Sequence, residues 1–152
     1  MRKKILNALS ISCILLFLAN CKKSEDVIPS VGSGSIKIFG KTTMLNTTRS
    51  DNNGISDIYG SNILGEYSLR AQVSTSAISG EYDLAINPPL SLTVYSRIKM
   101  DSLVTSYDTL QAISGKATLS KLDNGVTVMF NNVTFYSAKT KASSVGGGML
   151  KN

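Results

Sequence analysis

Glu66-Tyr67-Ser68-Leu69-Arg70-Ala71-Gln72-Val73 alternates between polar and apolar side chains along its length. A period of two places Tyr67, Leu69, Ala71 and Val73 on one face of an extended chain and Glu66, Ser68, Arg70 and Gln72 on the other. That is a strand with one dry and one wet face, as an antiparallel sheet requires. The pattern continues in both directions. Upstream, Ile36 and Ile38 alternate with Lys37 and Phe39, and Gly40 is placed to bend this first strand. Downstream, Tyr82, Leu84 and Ile86 alternate with Glu81, Asp83 and Ala85 until Pro88-Pro89, which cannot donate to a ladder, end the strand. Leu90, Leu92, Val94, Ser96 and Ile98 then alternate with Ser91, Thr93, Tyr95, Arg97 and Lys99, and these two strands are expected to pair or lie side by side.

The next stretch, Leu103 to Ile113, is less regular. Gly115, Ala117 and Leu119 lead into Asp123-Asn124-Gly125, a hairpin signal because Asn-Gly accepts positive φ. Val126, Val128 and Phe130 share a face, but Val133 and Phe135 are odd-numbered. The parity change predicts a bulge or tight turn at Asn131-Asn132, since a one-residue slip flips every following side chain. Val145 to Leu150, with Gly146, Gly147 and Gly148 inside it, either closes the sheet or frays. No segment keeps a helical period and no internal repeat is present. The reading is all-β, with roughly eight or nine short strands over residues 35–152 forming one antiparallel β-sandwich or small barrel. A lipocalin-type barrel is disfavoured by the lack of a Gly-x-Trp opening strand.

Ahead of this domain, Arg2, Lys3 and Lys4 precede a mostly apolar run from Ile5 to Ala19. A basic n-region followed by an apolar h-region of this length reads as an export signal over residues 1–20. It is shorter than the ~20 apolar residues that span a bilayer. At its end, Leu18-Ala19-Asn20-Cys21 resembles a bacterial lipobox, with Asn20 standing where a small residue is usual. The resemblance implies removal of the signal and diacylation of Cys21, and several acyl chains on one cysteine make attachment to a membrane effectively permanent. Lys22 after the cysteine resembles residues that let lipoproteins proceed to the outer membrane. Ser24-Glu25-Asp26 resembles the acidic tethers of lipoproteins displayed at the cell surface, so the expected location is the outer membrane, on its periplasmic or cell-surface side. Residues 21–34, rich in Lys, Ser, Gly and Val, are read as a flexible tether.

The chain of 152 residues contains no His and no Trp, and two Cys. Catalytic triads, His-ligated zinc and a disulfide framework are thereby excluded. With Cys13 in the signal and Cys21 acylated, the mature chain has no free thiol and is stabilised by packing. Three of the 16 basic residues lie in the signal and all ten acidic ones lie beyond it, so the mature excess is +3. That charge is scattered, and nucleic-acid binding is not expected.

Glu81 and Asp83 stand two apart on one strand face, a spacing that could bring together two carboxyls for acid-base chemistry; a solvated strand face is the plainer account. Asp51-Asn52-Asn53-Gly54-Ile55-Ser56-Asp57 offers hard oxygen ligands of the kind calcium favours, yet Arg49 occupies the place where an EF-hand carries an acid. Asn, Gly and Asp also fill turns for conformational reasons alone. Neither a metal nor a cofactor is therefore assigned. Tyr59, Tyr67, Tyr82, Tyr95, Tyr107 and Tyr136, with abundant Ser, Thr and Asn, are materials for a glycan-binding face. Asp101-Ser102-Leu103 and Asp108-Thr109-Leu110 resemble the acceptor triplets of Bacteroidota O-glycosylation, which makes Ser102 and Thr109 candidate acceptors. Asn46-Thr47-Thr48 and Asn132-Val133-Thr134 fit the N-glycosylation pattern but are discounted for a bacterial host.

The signal, the tether and the strand openings Ser79-Gly80-Glu81-Tyr82 and Gly125-Val126-Thr127-Val128 together resemble small β-rich lipoproteins of the Bacteroidota envelope. The resemblance implies a location and a fold class, and carries over no catalytic residue. The expectation is a non-enzymatic envelope lipoprotein acting as an interaction or binding module for a glycan or an envelope protein. The alternative is a structural or anchor subunit of a fimbria-like assembly, with Val145 to Leu150 exchanged between subunits by strand addition.

Overall fold

The computed structural model describes residues 32–85, 89–100, 104–123 and 125–152. They form nine strands: β1 (Gly32–Ile38), β2 (Lys41–Asn52), β3 (Ile55–Ser61), β4 (Tyr67–Ser74), β5 (Gly80–Asp83), β6 (Leu90–Met100), β7 (Val104–Leu122), β8 (Gly125–Ser137) and β9 (Ser143–Lys151). No helix occurs among the described residues. Eight strands make a ring in the order β7-β6-β4-β3-β2-β1-β9-β8, and β8 returns to β7. Every pairing is antiparallel, and β5 is an added strand on β7.

The domain is thus a closed barrel and not a sandwich. Alternation along a strand looks the same in both architectures, and the two differ in whether the first and last strands meet. Here β1 pairs with β2 on one edge and with β9 on the other. The connectivity is up-and-down, as in lipocalin barrels, although the Gly-x-Trp strand that would announce such a barrel is missing. Closure removes the exposed sheet edges that an open sheet would have to protect.

The seam explains a boundary that composition misplaces. β1 begins at Gly32, three residues before the expected start, and Gly32 to Gly34 pair with β2 as far as Thr47. A side chain at Gly32 would overlap the Lys151 carbonyl, and one at Gly148 would overlap the Ser35 carbonyl and approach Phe130 Cζ at 2.9 Å. The Gly/Ser stretch that reads as tether and the triple glycine, which closes the sheet and does not fray, are two sides of one close contact.

Alternate residues of every ring strand face inward. Ile36, Ile58, Leu69, Val73, Leu92, Val94, Val128 and Phe135 are fully buried. Phe130 and Phe135 meet edge to face with centroids 5.9 Å apart, a favoured aromatic geometry. Buried polar groups are satisfied: the Ser137 hydroxyl donates to Asp108 at 2.6 Å, the Thr140 hydroxyl to the same carboxylate at 3.1 Å, and Thr47 Oγ1 to the Lys151 carbonyl at 2.6 Å.

The bulge expected at Asn131-Asn132 is present. The β8–β9 register shifts between Phe130 and Val133, and Asn132 has a φ of 53°. Opposite it, β7 shifts register on both sides of Ser114, and Gly115 takes a φ of 109° with Val133 Cα 2.9 Å from where its Cβ would be. Other expectations are corrected. The segment beginning at Val104 is one continuous 19-residue strand whose irregularity is confined to the register shifts around Ser114, and its two halves have different partners on one edge. β6 pairs with Val104 to Gln111 and β5 with Lys116 to Leu119, so β5 and β6 follow one another along β7 and do not pair. Phe39-Gly40, both at positive φ, form a tight hairpin turn and not a bend. Gly125 already pairs with Leu122, so it opens β8 and lies outside the turn.

Two ends of the barrel follow from this order. The terminal end holds Gly32, Asn152, the Asn53-Gly54 turn, the connection from β4 to β5 and the β7–β8 turn. The distal end holds the Phe39-Gly40 turn, residues 62–66 between β3 and β4, and residues 138–142 between β8 and β9.

Candidate binding site on the barrel wall

The inward faces carry the apolar core, and a concave polar surface lies on the outer wall. Cross-strand register aligns Thr48, Tyr59, Arg70 and Thr93 in one outward row, and Ser61, Ser68, Tyr95 and Thr109 in the next. Arg97 opposite Tyr107 begins a third. Part of these rows lines an open cleft of about 880 Å³ floored by Tyr59, Tyr95, Tyr107, Ser68, Arg70 and Asp57.

The floor is fixed by its own hydrogen bonds. Tyr59 Oη donates to Ser68 Oγ at 2.8 Å. Arg70 Nε donates to both carboxylate oxygens of Asp57 at 2.9 Å, and a second guanidinium nitrogen bonds the same group. Asp57 first, and then the hydroxyl of Tyr95, hold the Arg70 proton more tightly than usual. The pair presents no net charge but fixes donors and acceptors in place. One rim is the loop before β4. It is braced by Asn62 N to Tyr67 O at 3.2 Å, Gly65 N to Asn62 O at 3.0 Å and Tyr67 N to Asn62 Oδ1 at 3.2 Å. Ile63 at its crest is 91% exposed and lines the cleft.

Such a surface can stack the apolar face of a ring on tyrosine while hydrogen-bonding its edge. Three of the six tyrosines meet here. Tyr67 lies 5.8 Å from the Lys41 ammonium, Tyr82 donates to the Ile78 carbonyl at 2.7 Å, and Tyr136 is half-buried on β8.

The remaining candidates are dispersed. Cys21 and Ser102 lie outside the described residues. Thr109 is exposed beside the cleft, opposite Tyr95. Its neighbours Asp108 and Leu110 point into the barrel, so the triplet belongs to a regular strand and not to the irregular stretch expected. Glu81 and Asp83 are both exposed. Glu81 pairs with Lys116 at 2.6 Å, and Asp83 accepts the Ala85 N–H at 2.9 Å. The Asp51-to-Asp57 segment is the tip of the β2–β3 hairpin, and its two acids diverge. Asp51 is held by Arg49 at 2.8 Å and Asp57 by Arg70 on the outer wall. No group of three or more Cys, Asp or Glu side chains is placed to hold a metal among the described residues.

The Arg70–Asp57 pair escapes a reading of the sequence. Alternation puts Arg70 on the wet face, but its partner depends on the β3–β4 register, and β3 is hidden because Ser56 and Gly60 occupy inward positions. Comparison with the models of protein families, with curated proteins and with solved structures finds no match.

Proposed function

We propose that this chain is a non-enzymatic binding module, anchored to the outer membrane by lipid on Cys21, whose tyrosine cleft takes a hydroxyl-rich ligand such as an envelope glycan. The observation that carries this reading is the convergence of Tyr59, Tyr95 and Tyr107 with Ser68 and the Arg70–Asp57 pair in one open cleft. Exposed tyrosines offer a flat apolar ring and a polar tip together. The lipobox at Leu18 to Cys21 supports the anchor. The solvated, separately engaged Glu81 and Asp83 support binding over hydrolysis. The pairing of β9 along both edges within one molecule supports a self-contained module over a strand-exchanging subunit.

Because the chain has no Trp, its intrinsic emission comes from tyrosine, and titration with polysaccharide from the native envelope can be followed without a label. Tyr95→Ala and Tyr107→Ala are each expected to weaken binding about tenfold, equivalent to about 1.4 kcal/mol. Tyr136→Ala, outside the cleft, should leave it unchanged. Equal loss in all three variants, or none in the first two, would refute the assignment. The anchor is tested separately by the mass of the N-terminal peptide and by release of a Cys21→Ala variant from the membrane fraction.

A further inference from the structure

Ten residues, 22–31, separate Cys21 from the start of β1 at Gly32. Fully extended they reach about 35 Å, and they join the barrel at its terminal end. At that end Ile78 and Leu122 are 77% and 76% exposed. They flank a contact between their two segments, in which Ser79 Oγ accepts the Lys121 N–H at 2.8 Å. Ile55, beside the Asn53-Gly54 turn, is exposed as well. Ile78 lies in the β4–β5 connection, and Leu122 and Ile55 are the strand residues next to turns, so three large apolar side chains are left exposed at one end and mark a surface that meets something apolar.

Charge does not dominate this end. Asp51 is paired with Arg49 and Glu81 with Lys116, and the Lys121 ammonium donates to the carbonyls of Ser74 and Thr75 at 3.2 and 3.0 Å. Asp83, Asp123 and Lys151 are of mixed sign. The partner is therefore recognised through apolar contact.

We infer that the terminal end faces the bilayer holding the Cys21 lipid, with Ile78 and Leu122 inserted among the headgroups and upper acyl chains. This rests on the anchor proposed above. The distal end also exposes Phe39, Ile63 and Leu64. To bring that end to the same bilayer, the tether would have to run back along the seven-residue β1 for about 25 Å, using most of its reach of about 35 Å, whereas the terminal end needs no such detour. Docking by the terminal end leaves the tyrosine cleft open on the side wall, clear of the lipid.

The test uses the absence of Trp. The chain from Cys21 onward, which contains the whole closed barrel, is coupled through its single thiol to maleimide lipid in phosphatidylcholine vesicles with brominated acyl chains. Bromine below the headgroups quenches an inserted indole and spares one that is merely nearby. The Ile78→Trp and Leu122→Trp variants should each lose at least half their emission, and Ile63→Trp should lose almost none. Strong quenching of Ile63→Trp, or no quenching at either end, would overturn the inference. Coupling is chemical, so a failure to find acyl chains on native Cys21 is a separate result that removes the anchor and leaves the depth measurement readable.

Discussion

β4 and β9 hold equivalent places in the ring, each paired along both edges with antiparallel neighbours, yet they are built by opposite means. β4 fills the barrel from its inner face with Leu69, Ala71 and Val73 and presents Arg70 and Gln72 outside. β9 yields: its three consecutive glycines let β1 approach and leave room for the rings of Phe130 and Phe135. A closed barrel needs both kinds of strand. One supplies apolar volume and the polar wall that forms the cleft, and the other supplies the space that allows the ring to shut.

If that contrast is right, adding volume should damage the seam most and removing it should damage the wall most. Gly148→Val places a branched side chain against the Ser35 carbonyl and Phe130, and should destabilise the protein by more than about 3 kcal/mol or prevent closure altogether. Urea denaturation followed by far-ultraviolet circular dichroism measures it, and a near-neutral result would break the comparison. Leu69→Ala leaves a cavity at a fully buried position and should cost about 3 kcal/mol by the same measurement.

These two positions differ equally in how legible they are. The alternation around Leu69 reveals its strand and both of its faces, and the parity change at Asn131-Asn132 reveals the bulge. Both signals are local. The β2 and β3 strands do not show, because their inward positions include Thr47, Ser56 and Gly60, small or polar residues, and at Gly60 an added side chain would meet Leu45 and Leu150. The site is hidden for the same reason: Tyr59, Arg70, Tyr95 and Tyr107 belong to four strands, and only the register brings them together. Sandwich and barrel are separated by a single long-range fact, the pairing of β1 with β9.

Smaller effects sharpen the contrast. Thr47→Val keeps the shape but deprives the Lys151 carbonyl of its hydroxyl donor at the seam, and should cost about 1.5 kcal/mol. Lys116→Ala, which removes an exposed ion pair joining β7 to Glu81 on the added strand β5, should leave the unfolding midpoint unchanged, as loss of a solvated surface pair generally does. A larger loss at Lys116 than at Thr47 would mean that β5, and not the seam, governs closure.

The most direct test of the account sets wall against seam in one experiment. Nitrogen-15-labelled chain from Cys21 onward is titrated with polysaccharide from the native envelope, and amide shifts are followed by two-dimensional NMR. The account predicts shifts at Tyr59, Arg70, Tyr95 and Tyr107 that saturate together, with Gly146 to Gly148 unmoved. Shifts concentrated at the glycine seam, or spread evenly over the barrel, would contradict it.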